Sequence, residues 1–321
     1  MKVPIGFSLR ETVLSHGWYE LAPFRWRASS GSLQRAERLA DGSLHLFSIR
    51  QPGGKGQSLE IRWISKTPSR ESREELRSKV RRILSLDLDL SEFMEICRRE
   101  PRLRYVPAAG AGRFLRCGNL FEEVFKAICA TNIAWAQAVL AINRVASLGQ
   151  PVPETECRTF PTPESLLRVG ETRLRETSRL GYRVPYLLNL ARQAVRCGPD
   201  WQRLEQGGLG REELSRLLLA LQGVGKATSR YLLMVWGVGE EISVDSSVYQ
   251  YCRCERFGGR TPTERQILSL YQAYGRWKAH AYWFEFLPWA RRHWGLDGKS
   301  KSAGKSRLTG GKSRSVAKAT G

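Results

Sequence analysis

The triplet Gly223-Val224-Gly225 constrains this chain more than any other stretch. A Leu-rich, helix-periodic run from Arg211 to Leu221 precedes it, and a second begins at Lys226. Two glycines in three positions let the backbone reverse with φ > 0 and approach a ligand closely. The chain must therefore fold here as helix, tight turn, helix. The first N–H groups of the second helix point outward with the positive end of its dipole, which suits a phosphate oxygen. Beyond a Gly-Val-Gly break at 237–239, Asp245 follows in Ser243-Val-Asp-Ser-Ser-Val248. A phosphate grip followed by an acid is a tool for chemistry on a nucleic acid.

The charge agrees. There are 52 Lys and Arg against 31 Asp and Glu, a formal net charge of +21 and a pI near 10.2. Such a field attracts polyanions and makes their binding salt-dependent through counterion release. Part of it lies on Lys299, Lys301, Lys305, Arg307, Lys312, Arg314 and Lys318, but most stays on residues 1–295. An excess this large favours nucleic acid over an anionic membrane surface. No apolar run reaches spanning length, and the N-terminus lacks a signal-peptide core, so a cytosolic protein is expected. The cysteines (Cys97, Cys117, Cys129, Cys157, Cys197, Cys252 and Cys254) are odd in number and scattered. Cys252-x-Cys254 is neither a zinc-knuckle nor a disulfide spacing, and only four histidines are present, so no catalytic metal site is expected.

The pattern changes along the chain. Alternating runs at Ser43–Ile49 and Ser58–Ile64, separated by the Gly-rich 51–56, read as an antiparallel sheet. Helical patterns follow at Ser69–Leu84 and Leu90–Arg99. From Phe121 the chain reads as helical almost throughout: 121–147, 163–168, 171–178, 184–196, 210–221, 226–236, 246–256, 263–274 and 279–293. Residues 297–321 are rich in Gly, Ser, Lys and Arg, have little to bury, and are expected to be disordered.

The hairpin and Asp245 together resemble the helix-hairpin-helix and Gly/Pro-Asp signature of the base-excision DNA glycosylases, with Gln222 where the family usually has proline. The resemblance continues in order. Phe7–Trp26 looks like the opening of the sheet domain in the alkylpurine (3-methyladenine) and 8-oxoguanine branches, and Gly112–Asn132 like their entry into the helical core. Leu180-Gly-Tyr-Arg183 matches the turn found two helices before the hairpin, and Arg276–Trp283 the start of the final helix. About residues 5–294 are covered. The resemblance implies an α+β fold, with an N-terminal antiparallel β-sheet domain packed on an all-helical helix-hairpin-helix core. The corresponding boundaries are 1–110, 111–295 and a basic tail at 296–321.

It also implies a chemistry. A base must be flipped out of the duplex before its glycosidic bond is reached, and Asp245 falls where the family keeps the carboxylate that stabilises the oxocarbenium-like sugar. Asp245 before Ser-Ser-Val-Tyr is equally a good helix N-cap, and the two roles are compatible. Bifunctional relatives form a Schiff base through a lysine at the second position after the last glycine. Ala227 stands there. Lys226 is one position earlier, about 100° around the helix, and reads as a phosphate contact or a solvated side chain. A monofunctional enzyme is expected.

Gly223, Gly225, Lys226 and Thr228 would grip DNA. Asn132 would reach beside the orphaned partner base or, equally, serve as a local cap or loop contact. Ser247, where many members have His, would offer a hydroxyl to phosphate, and Arg183 would be a DNA contact or an internal ion pair. Trp135, Trp236, Tyr249, Trp277, Tyr282, Trp283 and Phe286 lie in regions that border the cleft in relatives. Most must be core; Trp277 and Trp283 are the choices for the base pocket. The resemblance implies no required cofactor and no iron–sulfur cluster, since only Cys252 and Cys254 follow Asp245. It admits a monovalent cation at the backbone of hairpin 221–225. The expected partner is double-stranded DNA bearing a damaged purine, alkylated or oxidised, bound by a monomer and without a membrane. The location would be cytoplasmic and nucleoid-associated in a bacterium, or nuclear in a eukaryote. Two other readings remain: a glycosylase and lyase using Lys226, and a non-catalytic, structure-specific DNA-binding protein.

Overall fold

A computed structural model describes residues 1–53, 57–197 and 210–294; the expected disordered tail lies outside them. The molecule is α+β. Four strands, β1 (Phe24–Arg27), β2 (Ser32–Arg38), β3 (Leu44–Arg50) and β4 (Glu60–Trp63), form an antiparallel meander in that order. Phe47 stands opposite Arg35 on one side and Trp63 on the other, and Leu33 opposite Ile49. Alternation exposed β3 and β4 in the sequence. It did not expose β1 and β2, where arginines and a glutamate occupy half the positions.

Those charges have an internal purpose. Arg35 on β2 is buried and bonds Glu37 and Glu122 at 2.5 Å each, and Lys126 bonds Glu122 at 2.6 Å. Glu122 and Lys126 lie on α5 (Leu120–Cys129), which Asn119 caps through the Glu122 N–H. Burial alone would raise the Glu122 carboxyl, but Arg35 and Lys126 outweigh it and hold it at about 2. The sheet is thereby tied to the helices by a pair that cannot be broken cheaply on one side.

Among the described residues twelve further α-helices surround this joint. A short α1 (Leu9–Val13) precedes the sheet; α2 (Arg70–Ile83), α3 (Ser91–Arg99) and α4 (Tyr105–Ala109) separate it from α5. Then come α6 (Trp135–Ala146), α7 (Pro163–Ser178), α8 (Val184–Arg196), α9 (Arg211–Leu219), α10 (Lys226–Val235), α11 (Ser246–Glu255), α12 (Glu264–Ser269) and α13 (Lys278–Trp294). The expected helix 121–147 is two helices. The break falls at Asn132, whose φ is +46°, a conformation no helix interior accepts. The expected separation of 163–168 from 171–178 is present inside α7, where Gly170 (φ +75°, ψ 172°) leaves the helical conformation and breaks the run. The pattern 263–274 is a short α-helix followed by a 3-10 stretch, Gln272–Trp277.

Two large apolar cores result among the described residues. One joins the sheet, α1 and α2 to α5–α8 and to Leu232 and Leu233 of α10. The other joins Leu90–Phe114 to Met234, Val235, α11 and α13. α10 contributes to both, so the helix that follows the hairpin lies where the two halves meet.

Candidate active site

At the hairpin, Gly223 has φ +90°, while Gly225 has φ −90° and ψ 178°. Only the first glycine meets a backbone need. A Cβ on Gly223 would also lie 2.9 Å from Tyr186 Cδ2, whereas one on Gly225 would meet nothing within 4 Å. Val224 is buried beneath the turn, and its N–H donates to Leu221 O at 3.1 Å. Gln222, at the usual proline position, accepts from Asn189 Nδ2 on α8 at 3.3 Å. Gly225 is the N-cap of α10 and has no side chain to offer, so the leading N–H groups remain for a ligand. Lys226 and Ala227 are exposed there; Thr228 is half-buried.

Asp245 is the N-cap of α11. Its Oδ1 accepts from the Ser247 N–H at 2.8 Å and the Val248 N–H at 3.0 Å. Both bonds go to one oxygen, so the carboxylate is oriented while Oδ2 takes part in neither. Capping and an outward-facing charge therefore coexist, with the residue exposed. The loop before it is tethered to the hairpin helices: Glu241 pairs with Arg230 of α10 at 2.5 Å and approaches Arg211 of α9 at 3.7 Å. Ser247 is half-buried beside the carboxylate, its N–H committed to the cap.

A chain of aromatic contacts joins α13 to α10. Burial and then the Asp245 charge push the Tyr282 phenol well above its ordinary value. Tyr282 stacks on Phe286 at 5.6 Å, Phe286 meets Trp283 at 5.8 Å, and Trp283 meets Tyr231 of α10 edge-on at 6.2 Å. Tyr231 continues to Trp18 at 6.1 Å and to His16 at 6.2 Å. Trp283 and Tyr231 are half-buried, so each keeps an open part. Trp283 is fixed by its Nε1–H, which donates to Ser15 O at 2.8 Å.

Other candidates lie elsewhere. Trp277 is core: it stacks on Phe93 at 5.4 Å, carries the Arg276 guanidinium at 5.1 Å, and donates Nε1–H to Glu92. No ring area of that kind remains for a base. Arg183 is neither exposed nor ion-paired. It is buried and donates to Thr131 O and Asn132 O, with its guanidinium 4.5 Å from the Tyr182 ring. It thus holds the Asn132 turn. Asn132 itself is exposed and caps nothing, since Ala134 is the N-cap of α6. Trp236 is anchored by Glu123 through Nε1–H at 2.9 Å.

Sequence reasoning did not single out His16, Trp18 or Tyr231. Tyr231 could have been found from its place six residues after Gly225, on the second turn of the hairpin helix. His16 and Trp18 reach the site only through tertiary packing.

No family model matches the chain. It is 28% identical over 213 residues, 64% of its length, to a probable bifunctional transcriptional activator/DNA repair enzyme AlkA of Mycobacterium tuberculosis. The match spans 40% of that relative. In structure it is similar to a 3-methyladenine DNA-glycosylase from Archaeoglobus fulgidus, with a TM-score of 0.72 and 19% identity over 92% of this chain and 98% of the other. It is also similar to a Clostridium acetobutylicum 8-oxoguanine glycosylase/lyase in complex with double-stranded DNA, with a TM-score of 0.59 and 17% identity over 87% and 92%. The chain thus shares the α+β fold of these two solved structures.

Proposed function

We propose that the protein is a monofunctional DNA glycosylase that removes a damaged purine from double-stranded DNA. The observation that carries this reading is Asp245: an exposed carboxylate oriented through one oxygen at the start of α11, on a loop tethered to the hairpin helices. The hairpin backbone and Lys226 would hold a phosphate, with Gly225 leaving room for its approach. Asn132, raised on the turn that Arg183 holds, would enter beside the orphaned partner base. An amide offers both donors and an acceptor to that base. A monovalent cation at the hairpin carbonyls would strengthen the same grip.

In the reaction the C1′–N bond breaks and the base leaves with its electron pair. The Asp245 carboxylate stabilises the positive charge that builds on the sugar. Water adds to C1′, and its proton passes to Asp245 or to solvent. Ala227 occupies the position where an amine would be required for strand cleavage, and Lys226 is turned about 100° away. Hydrolysis therefore ends at an abasic site.

The test is single-turnover incubation with duplexes each bearing one lesion: alkylated purines, 8-oxoguanine, hypoxanthine or uracil. Cutting of one lesion only after alkali supports the reading. Cutting without alkali would favour a lyase; binding with no cutting of any lesion would favour a non-catalytic DNA-binding protein.

A further inference from the structure

The strand register sorts the residues of the sheet onto two opposite faces. Inward, Phe24, Leu33, Phe47 and Ile49 enter the core shared with α5–α8. On its far side α8 meets the hairpin through Tyr186 and Asn189. Outward, Arg25, Gln34, Ser48 and Arg62 stand side by side, one from each strand. Two residues along their strands, Arg27 and Arg50 face the same way, with Glu60 opposite Arg50. The other half of this outer face is closed, because Ala36 and Leu46 pack under Val152.

The four outward arginines are exposed. Arg27 donates to Gln34 Oε1 at 3.4 Å, and among the described residues Arg25, Arg50 and Arg62 have no hydrogen bond or ion pair. The inward Arg35, by contrast, is matched by two carboxylates. Like charges on neighbouring strands repel one another, and an anion laid on the face relieves that repulsion. Strands stand about 4.8 Å apart, so the row from Arg25 to Arg62 crosses about 14 Å. A duplex carries one phosphate for about every 1.7 Å of its axis, several within that span. Guanidinium forks grip phosphate oxygens in pairs. The outward positions of this open half are all polar, so nothing there would enter the apolar layer of a membrane.

We propose that the open half of the outer sheet face is a second DNA-binding surface, which holds the phosphate backbone of a duplex segment other than the one at the hairpin. The proposal rests on the glycosylase reading only for the duplex at the hairpin. The core lies between the two surfaces, so neither segment obstructs the other and one molecule joins two stretches of DNA. It can then pass from one stretch to the next without releasing both.

The experiment is sedimentation of the full chain with an excess of a short, undamaged duplex at low salt. Two duplexes per chain are expected, and a fourfold rise in salt should weaken the second by roughly a hundredfold, as for four phosphate contacts. The triple variant Arg25→Thr, Arg50→Thr, Arg62→Thr, in which threonine suits an exposed strand, should bind one duplex. Gln34→Glu sets a carboxylate in the middle of the row and should also weaken the second duplex, which serves if the triple variant fails to fold. Both should excise the preferred lesion at the wild-type rate, because exposed charges more than about 10 Å apart are largely screened. One duplex on the wild type overturns the proposal. So do two on the triple variant, which would move the extra duplex to another basic segment such as 297–321. Wild-type protein that binds one duplex, but is retained on phosphatidylglycerol vesicles through these arginines, would make the face a membrane surface instead. A chain that binds two duplexes and excises no lesion would overturn the glycosylase reading and leave the second surface standing.

Discussion

The two hairpin glycines should respond to alanine in opposite ways. At Gly223 (φ +90°) a side chain forces the left-handed region, which costs about 1–2 kcal/mol. Its Cβ would also stand 2.9, 3.1 and 3.2 Å from three atoms of Tyr186. Those contacts require Tyr186 to shift, at about 1–3 kcal/mol by analogy with overpacked cores. The stiffer unfolded chain returns about 0.4–1 kcal/mol. Gly223→Ala should therefore lose about 2–4 kcal/mol of stability. At Gly225, φ is −90° and a Cβ meets open space, so Gly225→Ala should leave stability within about 1 kcal/mol of wild type. Yet the added methyl would occupy the approach to the leading N–H groups of α10, and duplex affinity should fall roughly tenfold, about 1.4 kcal/mol. Urea unfolding and anisotropy of a labelled duplex measure the two quantities. Equal destabilisation by both variants, or undiminished duplex binding by Gly225→Ala, would refute the division of roles.

Further outcomes follow from other residues. Lys226→Ala should reduce the slope of log affinity against log salt by about 1, as expected for one phosphate contact, and borohydride should trap no adduct with the wild type. Glu122→Gln, which leaves Arg35 and Lys126 facing a neutral amide, should cost about 3–5 kcal/mol in denaturant unfolding. Because the folded pKa of Glu122 is depressed, its contribution is fully present above the ordinary Glu value. It should be lost as pH falls from about 4.5 toward 2, and the Gln variant should lack that part of the acid profile. His16 is held neutral by burial, and His280 likewise, at about 4 and about 3. Their contribution is full above the ordinary His value and should drain away as pH falls from about 6.5 to 3, with His16→Gln flattening the upper part of that decline.

What the sequence disclosed was local. The hairpin glycines, the cap at Asp245 and the helices flanking them carry their signals within a few residues, and the observed α8, α10 and α11 fall within a residue of the expected spans. β1 and β2 escaped because their buried arginine and glutamate make sense only once Glu122 is brought against them from 87 residues away. The break at Asn132 escaped because no glycine or proline marks it; Arg183 holds it from 51 residues downstream. Trp277 and Trp283 could not be ranked from composition, since one is closed by Phe93 and Arg276 and the other left half-open by its neighbours. His16 acts on Tyr231 across 215 residues of sequence, beyond the reach of any periodicity.

The central claim is that Asp245 performs the chemistry while also capping α11. Asn is nearly as good an N-cap as Asp, so Asp245→Asn separates the two roles. The decisive measurement is single-turnover excision of the best lesion by this variant, alongside its unfolding curve and duplex affinity. The account predicts a loss of roughly a hundredfold or more in rate, with stability and binding unchanged. Excision at the wild-type rate by a folded, DNA-bound Asp245→Asn protein would contradict it.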